Sequence, residues 1–177
     1  SPGVGSFDVM DYVQIEADVT LFQGSFQLNI KRIRRAVERE YKEEDYLPVS
    51  KKDIQKMYQE LMGLAKSIQN PYLSKLTAHF FGSQKFAKAF CFHSAAKTVH
   101  HGFVGGLLEH TLGVARLCDY YASYYPMLNR DLLITAALFH DIGKVWEISG
   151  FPANEYTDGG QLLGHIFLGA ELVGREA

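Results

Sequence analysis

A chain of 177 residues and 19.9 kDa with 47% apolar and 21% charged residues carries enough apolar mass for a buried core, which excludes a disordered, collagen-like or coiled-coil protein. Its formal net charge of -2 removes any global electrostatic pull toward nucleic acid, so a nucleic-acid role has to rest on a local basic patch. No apolar run approaches the length of a membrane span, and Ser1-Pro2-Gly3 shows neither an initiator Met nor a signal-peptide pattern; the expectation is a cytoplasmic protein with no membrane partner, seen as a fragment.

Residues 12–21 (YVQIEADVTL) set Val13, Ile15, Ala17, Val19 and Leu21 against Gln14, Glu16, Asp18 and Thr20, the period of a strand buried on one face. Residues 26–33 repeat the pattern with Phe26, Leu28 and Ile30, and Gln23-Gly24-Ser25 supplies the glycine of a hairpin turn. A lone hairpin cannot bury its apolar face, so the two strands are expected to belong to a larger sheet. Lys31, Arg32, Arg34 and Arg35 near the end of the second strand read either as a solvated strand end or as a patch that tracks phosphates. The stretch RRAVEREYKEEDYLPVS, dense in charge of both signs, reads as a connector.

From Ser50 onward the pattern is helical. Ser50 with Asp53 three residues later resembles a capping box, and Ile54, Met57, Tyr58, Leu61, Leu64, Ala65 and Ile68 keep one stripe. Asn70-Pro71 opens a second helix with an N-cap and a proline at its first position. Further helices are expected over 83–91, 105–123, 130–143 and 161–174, which makes the fold mainly α: an all-helical domain preceded by a β segment. Cys91 and Cys118 are too few for a disulfide framework and read as small buried hydrophobes.

Seven histidines are the compositional oddity. In NRDLLITAALFHDIGKVWEI, Asn129 is a good N-cap and the helix is almost wholly apolar until His140 and Asp141 interrupt it, a pair too costly to bury without partners. Leu133, Ala136 and His140 share one stripe and Ile134, Ala137 and Asp141 the next, about 100° round, so both side chains can reach one ion over the cleft between them. Gly143 then turns the chain off the helix and leaves Lys144 near the same mouth. His110, aligned with Leu107, Val114, Leu117 and Tyr121, and His165, aligned with Leu162, Gly169 and Leu172, point into apolar faces.

A single inward histidine is usually a satisfied core residue, and a His-Asp pair alone is more often a hydrogen-bonded pair than a ligand set. Three inward histidines on successive helices with an aspartate beside one of them read as metal ligands, because helical bundles build such sites from facing helices. Mixed nitrogen and oxygen donors suit a divalent manganese, iron, cobalt or zinc ion, with manganese expected. Gly102, Gly105 and Gly106 open the approach to His110, and His101 in that approach is either an exposed loop imidazole or a phosphate contact. His79 and His93 read as structural, and His100 simply precedes His101.

His110, then the doublet His140-Asp141 inside LFHDIGK, then His165 resembles the HD superfamily of metal-dependent phosphohydrolases. The phrases HHGFVGGLLEHTLGVA, LLITAALFHDIGKVWEISG and EYTDGGQLLGHI are most similar to the YhaM-type bacterial 3′-to-5′ exoribonucleases, in which an OB-fold precedes the HD domain. That resemblance implies an OB-fold remnant over 1–40, a linker over 41–50 and an HD domain over 51–177. It implies that His110, His140 and Asp141 bind metal with Asp141 bridging two ions, that His165 serves the second ion, and that Lys144 stabilises the phosphate. In the family a further pair of histidines and a late aspartate complete the metal shell. The implied activity is 3′-to-5′ hydrolysis of single-stranded RNA, with DNA open, in which Asp141 and Lys144 act at the reacting phosphate and His101, Lys31, Arg32, Arg34 and Arg35 hold the strand. Two rivals stay open: a phosphohydrolase of mononucleotides or cyclic nucleotides, and a non-enzymatic single-strand-binding factor. Homo-oligomerisation is open as well.

Overall fold

A computed structural model describes residues 5–42, 45–97 and 101–176, and the chain divides into two units, Ser1–Tyr46 and Leu47–Ala177. In the first unit β1 (Val13–Phe22) and β2 (Ser25–Arg35) form a two-stranded antiparallel sheet. Gln23 (φ 49°) and Gly24 (φ 80°) both take positive φ, the signature of a tight hairpin turn whose twist matches that of its strands. The register runs from Phe22↔Ser25 to Val13↔Arg35 and slips between Glu16 and Ala17, where Lys31 is the residue in excess. This bulge sets Ile33 opposite Ile15, so that Ile33 rejoins the side of Ile30, while Arg32 and Arg34 pair with Glu16 and Gln14 on the other side. The one-sided burial expected of these strands is not found within the unit: Val19, Leu21 and Phe26 are 65%, 65% and 81% exposed. Among the described residues nothing covers that face of the two strands. Tyr12 stacks on Tyr41 and meets the edge of Tyr46.

The second unit is helical: α1 (Ile54–Lys66), α2 (Pro71–Phe81), α3 (Gln84–Phe92), α4 (Gly106–Tyr124), α5 (Arg130–Phe139), α6 (Lys144–Glu147) and α7 (Asp158–Glu176). Its core joins Met57 and Leu61 of α1, Phe81 of α2, Phe90 of α3, Leu107, Leu108 and Leu112 of α4, and Ile134 and Leu138 of α5. Most starts follow their sequence signals: Asn70 accepts from the Tyr72 and Leu73 N–H groups with Pro71 behind it, and Asn129 accepts from Leu132. The expected capping box is different. Asp53 itself caps α1, accepting from Lys56, because the Ser50 hydroxyl donates to Glu109 on α4 instead.

The expected helix over 130–143 is also shorter. α5 ends at Phe139, and residues 140–143 form a turn into the four-residue α6. α7 is broken at Gly164 (φ 72°, ψ 161°), immediately before His165. Among the described residues no helix is long and apolar enough to cross a membrane.

Candidate metal centre

The end of α5 decides how His140 and Asp141 are presented. Ile134 and Ala137 are buried and lead to Asp141, itself only 8% exposed, whereas Ala136 and His140 lie on the exposed stripe. His140 caps α5, its main-chain N–H bonding to the Ala136 carbonyl at 2.8 Å. Its ring Nδ1 lies 2.7 Å from the Ala137 carbonyl, an atom that can only accept, so Nδ1 holds the proton and Nε2 presents a lone pair.

Beside that lone pair lies His110 of α4, while His165 of α7 meets the far side of Asp141. His110 Nε2 lies 3.1 Å from His140 Nε2 and 3.3 Å from Asp141 Oδ2, and His140 Nε2 is 3.5 Å from the same oxygen. The other carboxylate oxygen, Oδ1, faces His165 Nε2 at 3.3 Å. One buried aspartate thus presents one oxygen to the His110/His140 pair and the other to His165.

The imidazoles are not sunk in apolar faces as their spacing suggests. The side chains of His110, His140 and His165 are 33%, 34% and 27% exposed. Leu107 on the His110 stripe is fully buried, but Leu117 further along it is 58% exposed and Leu162 on the His165 stripe 83%; the buried side of α4 runs through Leu107, Leu108, Thr111, Leu112 and Ala115. The three histidines are each about a third exposed and lie against the buried Asp141.

Gly143 has a different role from the expected one. Its φ of -66° is ordinary right-handed helix, open to any residue. A Cβ there would instead overlap the His165 carbonyl and lie 2.7 Å from the Gly169 nitrogen, so glycine is what lets the turn and α7 touch. Lys144, 15% exposed, brings Nζ to 3.9 Å from Asp141 and 4.0 Å from Glu147. His101 (φ 61°) lies with its ring 5.5 Å from that of His110; His100 falls outside the described residues.

Sequence reasoning missed Glu147. It is 7% exposed, and its Oε1 accepts from both the main-chain N–H and the ring Nδ1 of His165, each at 2.9 Å. A glutamate in a short amphipathic stretch carries no sequence mark of such a role; burial of an acid six residues after Asp141 is the signal, and it appears only in three dimensions.

The basic residues of β2 belong to the first unit, and each has a carboxylate beside it. Lys31 pairs with Asp18, Arg34 with Glu40 and Arg35 with Asp11, all at 2.7 Å, and Arg32 lies 3.9 Å from Glu16. The Arg34 guanidinium, helped by the Val37 N–H, holds the Glu40 carboxyl down at about 2. His79, read as structural, is 57% exposed and pairs with Glu176 at 3.0 Å.

The donor set suits a divalent ion. The ligand atoms of His110, His140 and Asp141 lie within 4.8 Å of one another, close enough to share one ion. Burial holds the His110 imidazole below its ordinary value, with His140, His101 and Lys144 acting in the same direction and Asp141 opposing them. A neutral imidazole is the form a metal ligand needs. Residues 107–177 match the HD domain family, which is consistent with the HD superfamily of metal-dependent phosphohydrolases. No solved structure matches the chain.

Proposed function

We propose that the chain is a metal-dependent exonuclease that removes nucleotides from the 3′ end of single-stranded RNA, with DNA as a possible second substrate and Mn²⁺ as the working ion. The coarser statement stands without the proposal: a His110, His140 and Asp141 cluster inside an HD domain supports a metal-dependent phosphohydrolase. The observation that carries the reading is the division of Asp141, whose Oδ2 faces His110 and His140 while Oδ1 faces His165. His110 and His140 with Oδ2, and His165 with Oδ1, are donors that would hold divalent ions. When bound, such ions neutralise a phosphodiester and make water acidic enough to attack near neutral pH.

The chain's own residues supply the rest. The Ala137 carbonyl keeps the proton on His140 Nδ1 and its Nε2 free. Lys144, held between Asp141 and Glu147, would offset negative charge growing on the phosphate. His101, next to His110, would meet a phosphate oxygen at the mouth. In this reading residues 1–40 are an OB-fold remnant that binds the strand and 41–50 a linker, and Lys31, Arg32, Arg34 and Arg35 exchange their carboxylate partners for backbone phosphates, a cheap exchange at Lys31 and Arg32, whose partners Asp18 and Glu16 are exposed as well.

The same four ion pairs favour a second reading, hydrolysis of mononucleotides or cyclic nucleotides, which needs no unneutralised basic track. A 5′-labelled single-stranded RNA incubated with the protein and Mn²⁺ separates the two. The expected result is a ladder shortening from the 3′ end, stopped by chelator and reduced more than about a hundredfold by Asp141→Ala, beyond the usual effect of disturbing even an outer partner of a metal ligand. Intact RNA with hydrolysis of nucleotides alone would transfer the conclusion to the small substrate, and RNA binding with no cleavage of either would mark a strand-binding factor.

A further inference from the structure

We propose that Glu147 is a positioning residue that fixes the orientation of His165 and keeps a proton on its Nδ1, so that Nε2 is the nitrogen turned to Asp141. The inference rests on the reading of His165 as a metal ligand. It starts from the break in α7. Gly164 takes φ 72° and ψ 161°, which ends the helical ladder and leaves His165 at the start of a new helical run. An N–H at such a start has no partner within its own helix. Glu147 Oε1 accepts it at 2.9 Å, and the same oxygen lies 2.9 Å from the His165 ring Nδ1. A carboxylate oxygen only accepts, so Nδ1 must donate, which leaves Nε2 as the ring nitrogen turned to Asp141.

One oxygen therefore holds two points of one residue, main chain and ring, which removes both rotation of the helix start and a flip of the imidazole. Nε2 is left 3.3 Å from Asp141 Oδ1. Glu147 is itself pinned. Its carbonyl accepts from the Thr157 N–H at 2.9 Å, and Gly160 packs so closely on it that a Cβ at 160 would overlap that carbonyl. Lys144 Nζ lies 4.0 Å from the second carboxylate oxygen. Such a carboxylate behind a ligand histidine sets tautomer and basicity, and its loss typically weakens metal binding 10–100-fold.

Two measurements on the whole chain test the assignment. Long-range 1H–15N spectra of the metal-free protein, with His165 identified by His165→Gln, should show a proton on Nδ1 in the wild type and in Glu147→Gln, whose amide oxygen still accepts. Glu147→Ala should shift His165 toward the Nε2-protonated form. If Glu147→Ala does not fold by circular dichroism, Glu147→Asp withdraws the oxygen by one methylene and takes its place, with the same shift expected. Calorimetric Mn²⁺ titration should show affinity lost about 10–100-fold in Glu147→Ala but no further loss when it is added to His165→Ala, because the two residues act as one unit. A His165 tautomer unchanged in Glu147→Ala or its substitute, or losses that add in the double variant, would overturn the proposal. Should the wild type bind no Mn²⁺ at all, the nuclease reading falls, while the metal-free spectra still decide what Glu147 does to His165.

Discussion

Two glycines, one in the 140–143 turn and one in α4, put the close contact at the centre to a test at the level of single atoms. Ala at Gly143 must displace the His165 carbonyl or the Gly169 nitrogen, both main chain, so neither can swing aside. Gly143→Ala is expected to cost about 1–3 kcal/mol, the usual range for overpacking, and to weaken Mn²⁺ binding by moving His165. Gly113 in α4 has nothing within 4 Å of a Cβ. Gly113→Ala should instead stabilise the protein by roughly 0.5–1 kcal/mol through helix propensity. Thermal unfolding of the two variants checks the opposite signs, and equal destabilisation would refute the steric account. That His110, His140, Asp141 and His165 come together was legible from residue type and order, since they stand out in largely apolar stretches. Their exposure was not, because helical spacing says which residues share a face but not which face a neighbour covers.

Element boundaries divide along the same line between local and distant causes. Asn70, Asn129 and the Gln23-Gly24 turn were readable because cap and turn bonds span two or three residues. Ser50 was misassigned because its partner, Glu109, is on another helix. The bulge at Lys31 was hidden by a sequence alternation that looks continuous through Ile30. These assignments predict that Asp53→Ala costs about 1 kcal/mol as the loss of a helix cap. Ser50→Ala should leave α1 capped and act through Glu109, whose carboxyl is partly buried yet held below its ordinary value by the Lys52 ammonium and the Ser50 hydroxyl. Chemical denaturation of Asp53→Ala and Ser50→Ala, alone and each with Glu109→Gln, separates the roles: only the Ser50 effect should shrink in the Glu109→Gln background.

For the molecule as a whole, two histidines set a pH dependence. Burial holds the His93 imidazole below its ordinary value, the Lys144 and Ile148 main chain offsetting this only in part, and burial lowers His110 likewise. A lowered folded value means that the unfolded chain takes up protons first. Stability is therefore full above the unfolded value of about 6.5 and declines as the pH falls below it toward the folded values. Urea midpoints at pH 7.5 and 5.5 should show a less stable protein at the lower pH, and His93→Gln should flatten that difference; an unchanged slope would contradict the burial argument. His140, Asp141, Lys144 and Glu147 all come from one turn and the short α6, whereas His165 arrives on α7, whose outer side leaves Leu162, Ile166 and Phe167 83%, 75% and 56% exposed. The centre is thus a cassette with one detachable arm. If α7 frays, it carries off a single imidazole and uncovers the Glu147 carboxylate, while the His110, His140 and Asp141 trio remains assembled on the cassette and α4.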